Sequence, residues 1–317
     1  MDGFLLLKNT NAYKIFIGDK KRGTLSHAYL VVCEDKLFLE NYLKIFAKAL
    51  VCNEEEPCGS CRPCSLIDKK SFTDVVFYPN GKKIVVSDVD DLIEKSYYKP
   101  LEGDKKVFVL SDVSEMTVQA QNKLLKTLEE PPKNTFLILG ATKVYSLLST
   151  VLSRCKKLEI KPFSEDELYA YLKQEKEDGA RLKSAVRLSV GKLGEALNRY
   201  ETGEGYEAEE LAFSALTSLN SSSQIAKFSS KINKDTLRDF ISSLASLVNQ
   251  ALSVSCGNKT DNEKIKSVAD SVSVGALIHI SDKIRVAEKA VYFNGNLTAV
   301  VDGLLFGIVE GKFKWSK

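Results

Sequence analysis

The sequence predicts an α/β domain built on a mainly parallel sheet, then a small helical lid, then an all-α C-terminal domain. Three observations predict it. From Ala28 to about Ile160, apolar runs of strand length alternate with amphipathic stretches of helix length, the pattern of a parallel sheet covered by helices. After Pro162 the alternation ceases and only helical periodicity remains. The 317 residues, at about 150 per domain, leave room for two domains or three. The expected boundaries are 1–161 for the α/β domain, 162–203 for the lid and 204–317 for the C-terminal helices.

Each element follows from local chemistry. The strand candidates are Ala28–Cys33, Asp74–Tyr78, Lys106–Leu110, Thr135–Gly140 and Lys156–Ile160. Between the first two, Leu39, Tyr42, Leu43, Phe46, Ala49 and Leu50 recur at three- and four-residue intervals, so a helix over residues 36–50 can bury one face on the sheet. Ser87 with Asp90 predicts an N-cap for a helix over Asp88–Tyr98. A third helix, from about Val118 to Glu129, carries Leu124, Leu125 and Leu128. Pro131-Pro132 stops it, because proline lacks an amide donor and blocks the preceding turn. Beyond Pro162, helices are expected at about 165–175, 179–189 and 193–201, then at 206–219, 222–231, 234–255, 262–272, 274–293 and 297–311.

Composition narrows the function. A hydrophobic fraction of 44% and a charged fraction of 27% exclude a disordered or collagenous chain. Forty-five Lys+Arg against forty-two Asp+Glu leave +3, which excludes a histone-like protein, so DNA contact would come from a local patch or from partners. No window approaches the roughly 18 apolar residues of a membrane span. The start, MDGFLLLKNTNAYK, has an acidic second residue and an apolar run of only four, so a cytoplasmic protein without a membrane partner is expected.

Cys52, Cys58, Cys61 and Cys64 place four thiols within thirteen residues, with two Cys-x-x-Cys steps sharing Cys61. Borderline-soft Zn²⁺ takes four thiolates in a tetrahedron, and a short loop with Gly59 and Pro63 can fold its sulfurs around one ion. A redox-active pair or an iron–sulfur site are the alternatives. Four protein ligands leave no open position for water, so the metal expected is structural Zn²⁺. Cys33 and Cys256 read as small buried hydrophobes.

A phosphate-loop ATPase needs G-x-x-x-x-G-K-[ST] after its first strand, so that glycine amides and a lysine surround the phosphates. Here that position reads Cys33-Glu-Asp-Lys-Leu-Phe-Leu-Glu40, with no glycine, with Glu34 and Asp35 set to repel phosphate, and with Lys36 alone. After the Lys106–Leu110 strand stands Ser111-Asp112 in place of an acidic pair, and Asp112 alone can equally cap a loop. No ATP bound by this chain, and no intrinsic hydrolysis, is expected.

Several landmarks occur in one order: His27-Ala-Tyr-Leu, the cysteine cluster, Asn122-Lys-Leu-Leu-Lys-Thr-Leu-Glu-Glu-Pro-Pro132, and Ser153-Arg154-Cys155. Together they resemble bacterial clamp-loader subunits of the AAA+ class, and the missing phosphate loop resembles the delta-prime type of DNA polymerase III. The resemblance covers the first 200 or so residues. It implies a pentameric ring with ATPase subunits and a delta subunit, C-terminal domains joined in a collar, and action on a sliding clamp and primed DNA through the complex. It also implies that Arg154 projects toward ATP held by a neighbour, where a guanidinium would stabilise charge developing on the γ-phosphate. The ordinary alternative is an arginine paired with a local carboxylate such as Glu159. Thr142, near the position where AAA+ proteins sense γ-phosphate, is expected to be vestigial. His27 and His279 read as structural, and Tyr97, Tyr98 and Trp315 as packing or interface residues.

Two rival functions remain. An ATP-hydrolysing motor subunit of the same loader would need the Cys33–Glu40 segment to hold ATP. A zinc-module protein that binds nucleic acid directly would have to rely on the one short basic run, Lys20-Lys21-Arg22.

Overall fold

Five strands, β1 (Ala28–Cys33), β2 (Val75–Tyr78), β3 (Lys106–Leu110), β4 (Thr135–Ala141) and β5 (Lys156–Ile160), form one parallel sheet in the order β2-β3-β4-β1-β5. The computed structural model describes residues 3–79, 83–234, 236–260 and 262–316. β1 and β3 are buried along their whole length, as strands covered on both faces must be. β5 is different: only Leu158 and Ile160 are buried, and Lys156, Lys157 and Glu159 face outward, which protects an edge strand against further pairing. The second predicted strand begins at Val75, one residue later than expected, although the Asp74 carbonyl still accepts from Val107 N at 2.8 Å.

This sheet lies in the first of two compact units, Met1–Lys176 with Ser189–Ala196. Its helices are α1 (Phe4–Asn9), α2 (Asn11–Arg22), α3 (Leu39–Val51), α4 (Arg62–Asp68), α5 (Val86–Ser96), α6 (Val118–Glu129), α7 (Ser149–Leu152) and α8 (Glu165–Leu172). On one face, Leu30, Phe108 and Leu139 of the sheet pack against Val89 and Leu92 of α5 and Ala120, Leu124 and Leu128 of α6. On the other, α3 buries Tyr42, Leu43 and Phe46, and Phe16 of α2 stacks edge-on to Tyr29 of β1 at 4.8 Å. α5 starts at Val86, not at Asp88. Ser87 does not cap it; the Asp88 carboxylate reaches back to accept from the Val85 N–H at 3.0 Å. α1, α2 and α4 had no counterpart in the sequence reading.

The second unit, Glu177–Leu188 with Leu197–Lys317, is helical among its described residues. It contains α9 (Ala180–Leu188), most of α10 (Leu193–Thr202), α11 (Glu204–Ser218), α12 (Ile225–Ser229), α13 (Leu237–Ser255), α14 (Glu263–Ser271), α15 (Val274–Tyr292) and α16 (Leu297–Lys314). Its core joins Ala212 and Leu216 of α11, Leu244 and Leu247 of α13, Ile280 and Ile284 of α15, and Leu304 and Ile308 of α16. Trp315 covers Gly275, where a Cβ would stand 2.6 Å from the indole, so the tryptophan is a packing residue of this unit. Cys256 is exposed, contrary to the buried hydrophobe expected. It is the C-cap of α13, followed by Gly257 at φ 101°, and lies past the last turn that faces the core.

Candidate functional site

The four cysteines of the cluster come together where two helices meet. Cys52 caps α3, giving its N–H to Lys48 O at 2.8 Å; Cys61 is the N-cap of α4, and Cys64 lies in its first turn behind Pro63. Lys48, nearly buried, pairs with Asp68 and ties α3 to α4. Gly59 takes φ 71°, a left-handed turn glycine adopts without strain, and this lets the chain double back between Cys58 and Cys61. All four sulfurs lie within 4.8 Å of one another, and Cys52 Sγ is 3.9 Å from Cys61 Sγ. Metal–sulfur bonds of about 2.3 Å in a tetrahedron put sulfurs about 3.8 Å apart, so a set gathered within 4.8 Å suits a Zn²⁺ after a small contraction. The Cys61 N–H points at Cys58 Sγ at 3.3 Å. That donor, with the Ser60 amide, brings the Cys58 thiol down to about 6, whereas burial pushes Cys64 up.

Arg154 sits between α7 and β5, with its side chain about one-third exposed. One terminal nitrogen donates to Thr150 O at 2.9 Å and to Ser153 Oγ at 3.3 Å. The other pairs with Glu129, the first glutamate of the Leu-Leu-Lys-Thr-Leu-Glu-Glu-Pro-Pro run, while Nε is buried without a partner. The carboxylate is therefore not Glu159, which pairs with Lys157 at 3.1 Å. Residues 157 and 159 point to the same side of a strand, so the local pair closes on itself. Sequence reading placed Glu129 on a solvated face, and its link to Arg154 spans 25 residues that local spacing cannot bridge.

The segment after β1 holds a carboxylate where a phosphate cradle would hold amides. Asp35 is buried and accepts the Gly194 N–H at 2.7 Å. Gly194 is glycine because a Cβ there would stand 2.7 Å from Asp35 Oδ1 and 2.9 Å from Phe38 N. Burial raises the Asp35 carboxyl above its ordinary value, and the Gly194 and Phe38 amides oppose this. The cavity left between Cys33, Asp35, Tyr42, Phe163 and Gly191 measures about 10 Å³. Lys36, the one lysine at this position, points away and pairs with Glu115. Asp112 does cap a loop: it accepts from Ser114 N at 3.1 Å, and from Thr142 N at 3.2 Å and Thr142 Oγ1 at 2.9 Å. His27 meets Leu128 O at 2.7 Å, and His279 meets Glu310 at 3.1 Å, both structural roles.

Residues 8–164 match the family described as DNA polymerase III, delta subunit. Over this stretch the chain is similar to the clamp-loader subunits of DNA polymerase III. It is 34% identical over 152 residues to the delta' subunit of Bacillus subtilis, an alignment covering 47% of this chain and 46% of that one. It is 32% identical over 155 residues to the tau/gamma subunit of Haemophilus influenzae, covering 48% of this chain and 22% of the relative. The matched part thus spans half or less of these two relatives' length. A gamma-subunit-related protein of Thermotoga maritima aligns over 96% of this chain and 100% of its own, at 17% identity and a TM-score of 0.46. The mainly parallel sheet with flanking helices expected from the sequence is the one this chain forms. Among the described residues no helix is long and apolar enough to cross a membrane.

The basic run Lys20-Lys21-Arg22 is occupied within the chain. Lys20 donates to backbone carbonyls of the cysteine loop, Lys21 pairs with Glu55, and Arg22 pairs with Asp19 at 2.8 Å. It offers no free row of cations to a nucleic-acid backbone. Sequence reading missed the loop-facing role of Lys20; its signal was the pair Lys20-Lys21 on α2 opposite Glu54-Glu55-Glu56.

Proposed function

We propose that this chain is a clamp-loader subunit of the delta-prime type: it does not hydrolyse ATP itself, completes a pentameric ring with ATPase and delta subunits, and serves a neighbour's ATP through Arg154. In this reading residues 1–161 are the AAA+ domain, 162–203 the lid and 204–317 the collar, and Zn²⁺ held by Cys52, Cys58, Cys61 and Cys64 is structural. The observation that carries it is the Asp35–Gly194 contact, which leaves about 10 Å³ where ligand pockets generally offer roughly 300–1,000 Å³. Arg154 is suited to act in trans because its tie to Glu129 is half exposed. Such surface pairs contribute about 0–1 kcal/mol, so a more strongly charged oxyanion can replace the carboxylate. Through the assembled ring the subunit would help place the sliding clamp on primed DNA.

The test is Arg154→Ala in the reconstituted loader. The ring should assemble with the variant, yet hydrolysis at the site this arginine serves should fall by about 10³-fold or more. Unchanged DNA-stimulated hydrolysis would remove the trans-acting role. The similarity to tau and gamma chains favours a second reading, an ATP-hydrolysing motor subunit, which micromolar ATP binding and turnover by the purified chain would establish.

A further inference from the structure

We infer that Lys20 is a positioning residue for the thiolate centre: its ammonium holds the metal loop by backbone carbonyls and supplies the positive charge that a four-thiolate Zn²⁺ site lacks. The inference rests on the zinc reading of the cysteine cluster. A Zn²⁺ ion with four thiolates carries a net charge of two minus, which must be met by donors and cations nearby. The loop that carries Cys52 and Cys58 adds Glu54, Glu55 and Glu56, so the uncompensated charge would be large.

Three lysines of the N-terminal helices face this loop, and they are not equivalent. Lys8 pairs with Glu56 at 2.7 Å and Lys21 with Glu55, both at the exposed rim, so each is neutralised by its own carboxylate. Lys20 is half-buried and, among the described residues, is in no ion pair. Its Nζ donates to Cys52 O at 3.1 Å, Glu54 O at 2.6 Å and Glu55 O at 3.4 Å. These are neutral acceptors, so its charge stays available to the sulfurs beside them. One bond set thus fixes the carbonyl of a ligand residue and sets the ammonium beside the Cys52 end of the cluster.

The test uses the full chain with Zn²⁺ and Co²⁺ as probes, comparing the native protein, Lys20→Gln and Lys20→Arg. The native chain should bind one Co²⁺ with a thiolate-to-cobalt charge-transfer band. Lys20→Gln should weaken Zn²⁺ affinity by about 10–100-fold in chelator competition. It should also move the cobalt band to lower energy, because thiolates without a nearby cation give up electrons more readily. Lys20→Arg should regain most of the affinity. Lys20→Gln with native affinity and an unmoved band would overturn the inference. So would a weakened affinity with an unmoved band and no recovery in Lys20→Arg, which would make Lys20 a loop anchor only. A native chain that binds neither ion would instead overturn the zinc reading itself.

Discussion

Asp74 shows how much one side chain can organise. Fully buried at the start of β2, it accepts the N–H groups of Leu101 at 2.8 Å, Glu102 at 2.7 Å and Gly103 at 3.0 Å, with Lys106 3.6 Å away. Burial pushes its carboxyl up, but the three amides and the Lys106 ammonium outweigh that and hold it below the usual carboxylate range. A carboxylate with a depressed folded-state pKa adds stability that is present above its unfolded value, about 3.9, and lost as pH falls through the lower folded value. Asp74→Asn, with one acceptor oxygen in place of two, should therefore cost about 2 kcal/mol at pH 7 in denaturant unfolding. The deficit should shrink at the acid end, below pH 4, and an equal deficit at pH 7 and pH 2.5 would contradict the account. At the same scale, Glu129→Gln should leave folding unchanged and loosen Arg154, so reconstituted hydrolysis should be retained or increased; a loss as deep as that of Arg154→Ala would show that Glu129 positions the guanidinium.

At the scale of elements, the cysteine loop is a small module held by its ends. If it carries zinc, stripping the metal with a chelator should expose the amides of residues 52–64 to hydrogen exchange while β1, β3 and β4 stay protected. The sheet's core does not depend on the loop, and Lys48–Asp68 still joins α3 to α4. Loss of protection across the sheet would mean that the metal holds the whole unit together. The N-cap of α6 offers a calibrated companion: Thr117 Oγ1 accepts from Ala120 N at 3.2 Å, and Thr117→Ala should cost about 1 kcal/mol in the same unfolding measurement. What the sequence revealed at this scale follows from physics. β1, β3 and β4 were legible because strands covered on both faces demand near-unbroken apolar runs, and α6 because Thr117, the leucine spacing and Pro131-Pro132 all agree. α1 was hidden because six residues are too few to show a period; α2 carried a readable one in Tyr13, Phe16 and Ile17 between Thr10 and Gly23 that the reading passed over; and α4 was hidden because its residues had been read as metal ligands alone. The cysteine spacing needed no tertiary knowledge, whereas the carboxylate partner of Arg154, the Gly194 amide on Asp35 and the carbonyls held by Lys20 lie 25, 159 and 32 or more residues away.

At the scale of the whole chain, a net charge of +3 and an internally spent Lys20-Lys21-Arg22 run leave little long-range attraction for DNA. The purified chain should bind primed DNA weakly and with a shallow salt slope, and steep salt-dependent binding would favour the nucleic-acid-binding alternative. Isothermal titration with ATP should give no micromolar isotherm. The packing around Asp35 makes that condition hard to reverse. A revertant would need the carboxylate evicted, the backbone of the Cys33–Glu40 turn reopened with new glycines, Lys36 released from Glu115, and Gly194 freed from the atoms now pressed against it. Each exchange alone removes a contact and gains nothing in return. On the proposed reading, fuel use could not be gained here one mutation at a time, and reliance on a fuelled companion would be built into the interior of this chain.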